Sequence, residues 1–198
     1  TRERWRDLFE HQDVEAMLDC LHRFEARPGD TFLIEGSVPH AIGAGCFLIE
    51  IQEPTDFTLR MEMTTAGGYR VSKEICHLGI GLEAMLDCFH FEGLSFDQAQ
   101  ARWQIPARRV DDQVSVLIDD RQTDCFGMNK ITTDRALTLA GHADYAGLVV
   151  LSGDGRVNGQ SGAPGDYFFV PANLPLQLEP VSSEPFCALQ FFGPPGKE

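Results

Sequence analysis

The apolar positions of this chain follow two rhythms, and the change from one to the other divides it. Trp5, Leu8 and Phe9, then Val14, Met17, Leu18 and Leu21, recur at the spacing of one helical face and predict a helix or helix pair over 3–22. Apolar runs at 31–35 and 46–52 are rich in strand formers and predict strands. Over 57–63 the residues Phe57, Leu59, Met61 and Met63 alternate with Thr58, Arg60 and Glu62, the period of a half-exposed strand. Helical spacing returns at 82–89. It returns again at 95–103, where Ser95 stands as N-cap with Gln98 at the reciprocal capping position and Pro106 follows. From Val110 onward short apolar segments at 114–118, 125–132, 147–151, 156–157, 167–170, 174–178 and 186–192 alternate with turn signals such as Gly153-Asp154-Gly155. That is the rhythm of a small sandwich or barrel.

Two stretches share one pattern. Pro28-Gly29-Asp30 opens a turn, an apolar strand, a small or polar corner and then His40; Pro164-Gly165-Asp166 opens the same series and reaches Leu176 at the matching place. Proline presets φ at the second turn position and glycine takes the positive φ at the third, so both are tight turns. A repeated β-unit with a polar and an apolar copy predicts one chemical site and one structural partner. The second half reads as a complete barrel. Residues 27–63 supply only three or four strands, about half of what closure needs.

Composition narrows the classes. At 198 residues the chain can form one large or two small domains, and 43% hydrophobic with 23% charged residues fits a globular protein. A formal net charge of −14 opposes binding to phosphate backbones, so nucleic acid is not an expected partner. No apolar run approaches a membrane span, and the first ten residues, TRERWRDLFE, are no signal peptide. The six cysteines form no Cys-x-x-Cys pair, which excludes a cysteine zinc ribbon. Cys46, Cys88, Cys125 and Cys187 each adjoin a phenylalanine, and the cysteines are read as buried, reduced thiols of a cytoplasmic protein. Gly141-His142 is read as surface, and Asp111-Asp112 and Asp119-Asp120 as solvated turns. Cys76-His77 and Cys88-Phe89-His90 are read as helix or core packing.

Chemistry concentrates between Pro28 and Arg60. His40-Ala41-Ile42-Gly43 is followed by Gly45, then by Glu50-x-Gln52 and Thr55-Asp56-x-Thr58-x-Arg60. Strand alternation points Glu50 and Gln52 the same way, and a carboxylate within an apolar strand is costly unless paired or functional. With Gly29-Asp30 and Gly36 ahead of it, this series resembles the motif of the type I phosphomannose isomerases, a family of cupin fold. The resemblance implies a mainly β protein with two cupin-type (jelly-roll) units, the first incomplete, and helical segments before and between them. The expected division is a helical segment at 1–26, the second half of the metal-bearing cupin unit at 27–70, a helical connector at 71–106 and a C-terminal barrel without metal at 107–198.

The same resemblance implies a zinc-dependent aldose–ketose isomerase that interconverts mannose 6-phosphate and fructose 6-phosphate through an enediol. His40 matches a zinc ligand of the family. Its other ligands, a Gln-x-His pair and a glutamate, precede the motif and are absent from 1–26, so the chain is expected to be a C-terminal portion of a longer protein. Glu50 and Arg60 match residues lining the active site, Glu50 for proton transfer and Arg60 for the enediolate charge. The general base is not assigned. Gln52 is expected at the substrate. Leu59 stands where many relatives have tyrosine, and the basic residue expected near Thr65 and Ala66 is replaced by Arg70 or Lys73. That departure keeps open an isomerase of another phosphosugar, or a non-catalytic sugar-binding or regulatory cupin. The expected partners are a small phosphosugar and, through an open sheet edge, a second chain.

Overall fold

A computed structural model describes residues 1–53, 55 and 57–194. They form two compact units, one of residues 1–49 and 54–104, the other of residues 50–53 and 105–198.

The first unit is helical. Helix α1 (Arg2–His11) is capped by the Thr1 side chain, which accepts from Arg4 N, and α2 (Val14–Leu18) is capped in the same way by Asp13. Helices α3 (Lys73–Cys76), α4 (Leu82–Asp87) and α5 (Phe96–Trp103) follow, and the expected capping box at Ser95 and Gln98 is formed. The apolar stripe read at the start of the chain is the core of this unit. Trp5, Leu8, Phe9 and Met17 bury against Met61, Cys76, Met85 and Leu86. Over the core, Arg2 pairs with Glu83 at 2.6 Å and Asp87 at 2.9 Å, and Arg6 pairs with Glu83 at 2.6 Å.

Gln12 joins helix to chain in this unit. It closes α1 in the left-handed conformation, φ 54°. Its amide donates to Phe9 O at 2.7 Å and Met61 O at 3.0 Å, and accepts from Met63 N at 2.6 Å. Gln12→Ala removes three bonds to half-buried backbone groups. It is expected to cost about 1–3 kcal/mol, read as a lower denaturation midpoint by tryptophan fluorescence. No change in that midpoint would show that water replaces the amide.

The expected strands at 31–35, 46–52 and 57–63 are not strands in this structure. Their only bridges among the described residues are Phe32 with Gln104 and, just beyond, Thr64 with Arg70. A strand is held by a neighbour, and here there is no ladder to join. Phe47 is 93% exposed as a result. The alternation at 59–63 survives as burial without pairing: Met61 is buried, Leu59 and Met63 half-buried, and Arg60 and Glu62 exposed.

The second unit contains all ten strands of the described residues: β1 (Arg108–Arg109), β2 (Val114–Ile118), β3 (Gly127–Thr133), β4 (Leu137–Leu139), β5 (Ala146–Ser152), β6 (Gly155–Val157), β7 (Gln160–Gly162), β8 (Tyr167–Val170), β9 (Leu176–Pro180) and β10 (Phe186–Phe192). One sheet has the order β1-β2-β3-β10-β5-β8 and the other β4-β9-β6-β7, with every pairing antiparallel. From β3 onward the chain passes repeatedly between the sheets, and the four central pairs nest as two Greek keys. That strand order is the jelly roll, the cupin-type barrel.

Period-two patterning sets the inside of the barrel. Ile131, Leu148, Val150, Val157, Leu176, Leu178 and Phe186 are each at most 2% exposed and form one cluster between the sheets. β1, β4 and β7, of two or three residues each, escaped sequence reading, whereas β6, equally short, was marked by the Gly153-Asp154-Gly155 turn beside it. The edge strand β8 leaves Tyr167 and Phe169 largely exposed, with Tyr145 stacked on Phe169.

The cysteine expectation holds in part. All six are free, but only Cys76 and Cys187 are buried; Cys20 and Cys46 are exposed, Cys88 and Cys125 half-buried. A neighbouring phenylalanine does not bury a thiol when, as at Cys46-Phe47, the ring itself is in solvent.

Candidate functional site

The two Pro-Gly-Asp turns are built alike. Gly29 has φ 96° and Gly165 φ 93°, the left-handed region that glycine enters without strain. Asp30 N donates to Arg27 O at 3.0 Å and Asp166 N to Ala163 O at 2.9 Å. Each aspartate then folds back: Arg27 N donates to Asp30 Oδ2 at 2.8 Å and Ala163 N to Asp166 Oδ2 at 2.9 Å. After the turn the copies diverge. The second runs into β8 and reaches Leu176, 1% exposed at the start of β9. The first makes one bridge and reaches His40, which is exposed.

His40 Nδ1 lies 2.8 Å from Val38 O, a carbonyl that can only accept, so this nitrogen donates and Nε2 is turned away from that bond. The corner before it is held by His90 N donating to Ser37 O at 3.0 Å. Nearby in sequence, Glu35 accepts from Arg102 Nε at 2.7 Å and Trp103 Nε1 at 3.3 Å. The guanidinium holds the Glu35 carboxyl below the usual carboxylate range, with burial opposing it and the indole assisting.

Arg60 is exposed, and its backbone N–H donates to Cys76 O at 3.0 Å. Burial pushes the Cys76 thiol up; Glu62 adds to the shift and Arg60 opposes it. Arg70 lies opposite Thr64 in a short turn where Val71 N donates to Met63 O at 2.9 Å. Lys73 begins α3, its Nζ 5.9 Å from the centroid of the Phe9 ring. Glu50 and Gln52 are both exposed, with Ile49 and Ile51 half-buried between and before them, as alternation predicts. They belong to the second unit, whereas His40, Arg60, Arg70 and Lys73 belong to the first. Among the described residues no side-chain hydrogen bond or ion pair joins any two of these six. Asp56 of the motif lies outside the described residues, as does Pro54 beside it.

Zinc takes three or four ligands. Among the described residues no three His, Cys, Asp or Glu side chains come together in a way that could hold a metal ion. His40 offers one nitrogen, so the zinc that the motif implies does not fit these residues as they stand.

Sequence reading missed a second polar place, inside the jelly roll. Phe186 and Ala188 on β10 point into the core, and Gln190, next on the same face, is 5% exposed. It is paired across the sheet with Asn129 on β3 and Leu148 on β5. Asn129 shares its face with the core residue Ile131. The signal was present for Gln190 alone, the one amide or charged residue of β10, whereas β3 also carries Lys130, Thr132 and Thr133. His142, read as surface, is half-buried and stacks on Phe192 with ring centroids 4.2 Å apart. The aspartates read as solvated turns do serve turns and ion pairs. Asp111 Oδ1 accepts from Gln113 N and Val114 N, both at 2.8 Å, and Asp119 pairs with Arg108 at 2.7 Å.

No family model matches the chain. No curated protein matches it either. Solved structures do. A Ralstonia eutropha protein of unknown function with a cupin-like fold is 14% identical, with a TM-score of 0.33 over 41% of this chain and 55% of its own. The polyketide cyclase RemF from Streptomyces resistomycificus is 16% identical, with a TM-score of 0.37 over 53% and 80%. An oxalate decarboxylase is 16% identical, with a TM-score of 0.38 over 46% of this chain and 29% of its own. The chain thus spans about half of the first of these proteins and under a third of the last. The fold assignment rests on the strand order of the second unit, which defines a jelly roll without them. No described helix is long and apolar enough to cross a membrane.

Proposed function

We propose that this chain serves a sugar-phosphate isomerase of the phosphomannose type, which interconverts mannose 6-phosphate and fructose 6-phosphate. The observation that carries the reading is the motif from Gly29 to Arg60, set behind a turn that matches, bond for bond, the turn leading into β8. The matching turns support a shared local turn alone, since 31–35 makes a single bridge and forms no strand. In this reading Glu50 takes part in moving the proton between C1 and C2. Arg60 holds the negative charge that develops on the enediolate oxygens. Gln52 bonds sugar hydroxyls, and Arg70 and Lys73 hold the phosphate.

The test is a coupled assay of the natural gene product with mannose 6-phosphate, beside its Glu50→Gln variant. Turnover to fructose 6-phosphate, reduced by about 10²-fold or more in Glu50→Gln, is the expected result. Absence of turnover in the natural product, at any zinc concentration, would remove the isomerase.

A second reading is favoured by one observation: the six candidate residues divide between two units, and among the described residues no side-chain hydrogen bond or ion pair joins any two of them. A non-catalytic sugar-binding cupin needs only a few of them together. It predicts saturable binding of mannose 6-phosphate by calorimetry with no product formed.

A further inference from the structure

Aromatic rings gather on the outer face of the six-stranded sheet. Phe186 and Ala188 of β10 face the core, so Phe191 stands on the opposite face. It pairs with Gly147 on β5, and Gly147 pairs in turn with Phe169 on β8. Glycine is needed at 147, because a Cβ there would collide with the Phe191 ring that lies over the bare backbone. Beyond it Tyr145 is stacked on Phe169, with ring centroids 5.4 Å apart and planes 28° from parallel. Tyr167, two residues before Phe169 in β8, adds a ring on the same face. Tyr145, Phe169 and Tyr167 are 57%, 69% and 82% exposed. β8 is the edge of its sheet, where natural proteins place charges or proline to keep other chains off, yet it carries neither. Rings left in water on such an edge add nothing to the core and mark a binding surface.

Charge decides what this surface takes. Asp144 adjoins Tyr145 in the chain, and Asp166 adjoins Tyr167. From Ala136 to Gly196 the sole Lys or Arg is Arg156, against Asp144, Asp154, Asp166, Glu179 and Glu184. Arg156 is on β6, in the other sheet. On the aromatic face the first Lys or Arg across the strands from β8 is Lys130 on β3, three strands away. At the usual strand spacing that is about 14 Å, beyond the screening length of physiological salt. We propose that this aromatic plate binds an organic cation, an alkylated ammonium group. Its apolar surface lies on the rings of Tyr145 and Phe169, and its charge is drawn to their π faces and to the carboxylates beside them. A second copy of this chain does not suit the surface, because two copies bring −14 against −14 and carboxylates against carboxylates. Anions are repelled by the same field. The plate lies outside the barrel, and the proposal does not depend on the phosphosugar reading.

The probe is choline, and 3,3-dimethylbutan-1-ol, in which carbon replaces the charged nitrogen, is its neutral counterpart of the same shape. Each is titrated at constant ionic strength into the isotope-labelled 198-residue chain while the ring signals of Tyr145, Tyr167 and Phe169 are followed by NMR. Choline is expected to move these signals saturably, and the alcohol to need at least about fivefold more for the same shift. Replacing both carboxylates, Asp144→Asn with Asp166→Asn, should weaken choline by about threefold or more and leave the alcohol unchanged. The turn survives this change, because the asparagine carbonyl can still accept from Ala163 N. Ring signals that do not saturate below about 100 mM choline would overturn the proposal. So would an alcohol that binds as tightly as choline, which would leave an apolar patch without charge selectivity, and so would unchanged choline binding in the double variant.

Discussion

Phe186→Ala is expected to destabilise the jelly roll by about 3–5 kcal/mol, the range for an aromatic core residue truncated to alanine. Phe186 is fully buried in the core cluster. Its neighbours are shaped to it: a Cβ built on Gly155 would come within 2.6 Å of Phe186 Cδ2 and 2.9 Å of Glu179 O. β10 is held on one side by β3 and on the other by β5, so the backbone cannot close over the vacated space. The loss is read from the urea midpoint followed by circular dichroism at β-sheet wavelengths. Both tryptophans, Trp5 and Trp103, lie in the first unit, so fluorescence follows that unit and dichroism is the right signal for the second. A loss below about 1 kcal/mol would show that the barrel collapses freely, contrary to a close-packed core.

Arg60→Ala carries the second large effect, on rate rather than stability. If Arg60 holds the developing enediolate charge, its removal is expected to lower kcat by about 10²–10³-fold, or about 2.7–4 kcal/mol of transition-state stabilisation. KM should change less, because the charge appears only during the reaction. The denaturation midpoint should stay within about 0.5 kcal/mol of wild type. The side chain is exposed and has no hydrogen bond or ion pair among the described residues, and the Arg60 N–H bond to Cys76 O survives in alanine. Arg60→Lys should restore part of the rate as a point charge without the planar fork. Loss of folding in Arg60→Ala, or unchanged kcat, would take Arg60 out of the site.

How far the chain could be read differs sharply between its halves. Val114–Ile118, Tyr167–Val170 and Phe186–Phe192 begin and end where the apolar pattern placed them. The capping box at Ser95 and both Pro-Gly-Asp turns were legible for the same reason: each depends on residues within a few positions of one another. Residues 46–52 show what such reading leaves out. Their composition favours a strand, yet a strand exists only with a partner, and among the described residues no ladder reaches them. The aliphatic and aromatic side chains that should have lain in a sheet, Phe47 and Leu48 among them, are exposed instead.

The candidate site divides in the same way. His40, Glu50, Gln52, Arg60, Arg70 and Lys73 were found from the order of residues along the chain, and order says nothing of convergence. The fold distributes them over two units. Asn129 and Gln190 present the opposite case. They are 61 positions apart and belong to no motif, and β3 and β10 bring them side by side.

By itself the sequence determined which segments turn, which alternate, where helices are capped, and which residues resemble an isomerase motif. These follow from local sterics, hydrogen-bonding capacity and hydrophobic period. Only the tertiary structure decided which of the strand-like segments found partners, which thiols were buried, and that two amides face the inside of the barrel. Pairing and burial depend on residues far apart in the chain meeting in space, and that is settled by packing, not by spacing.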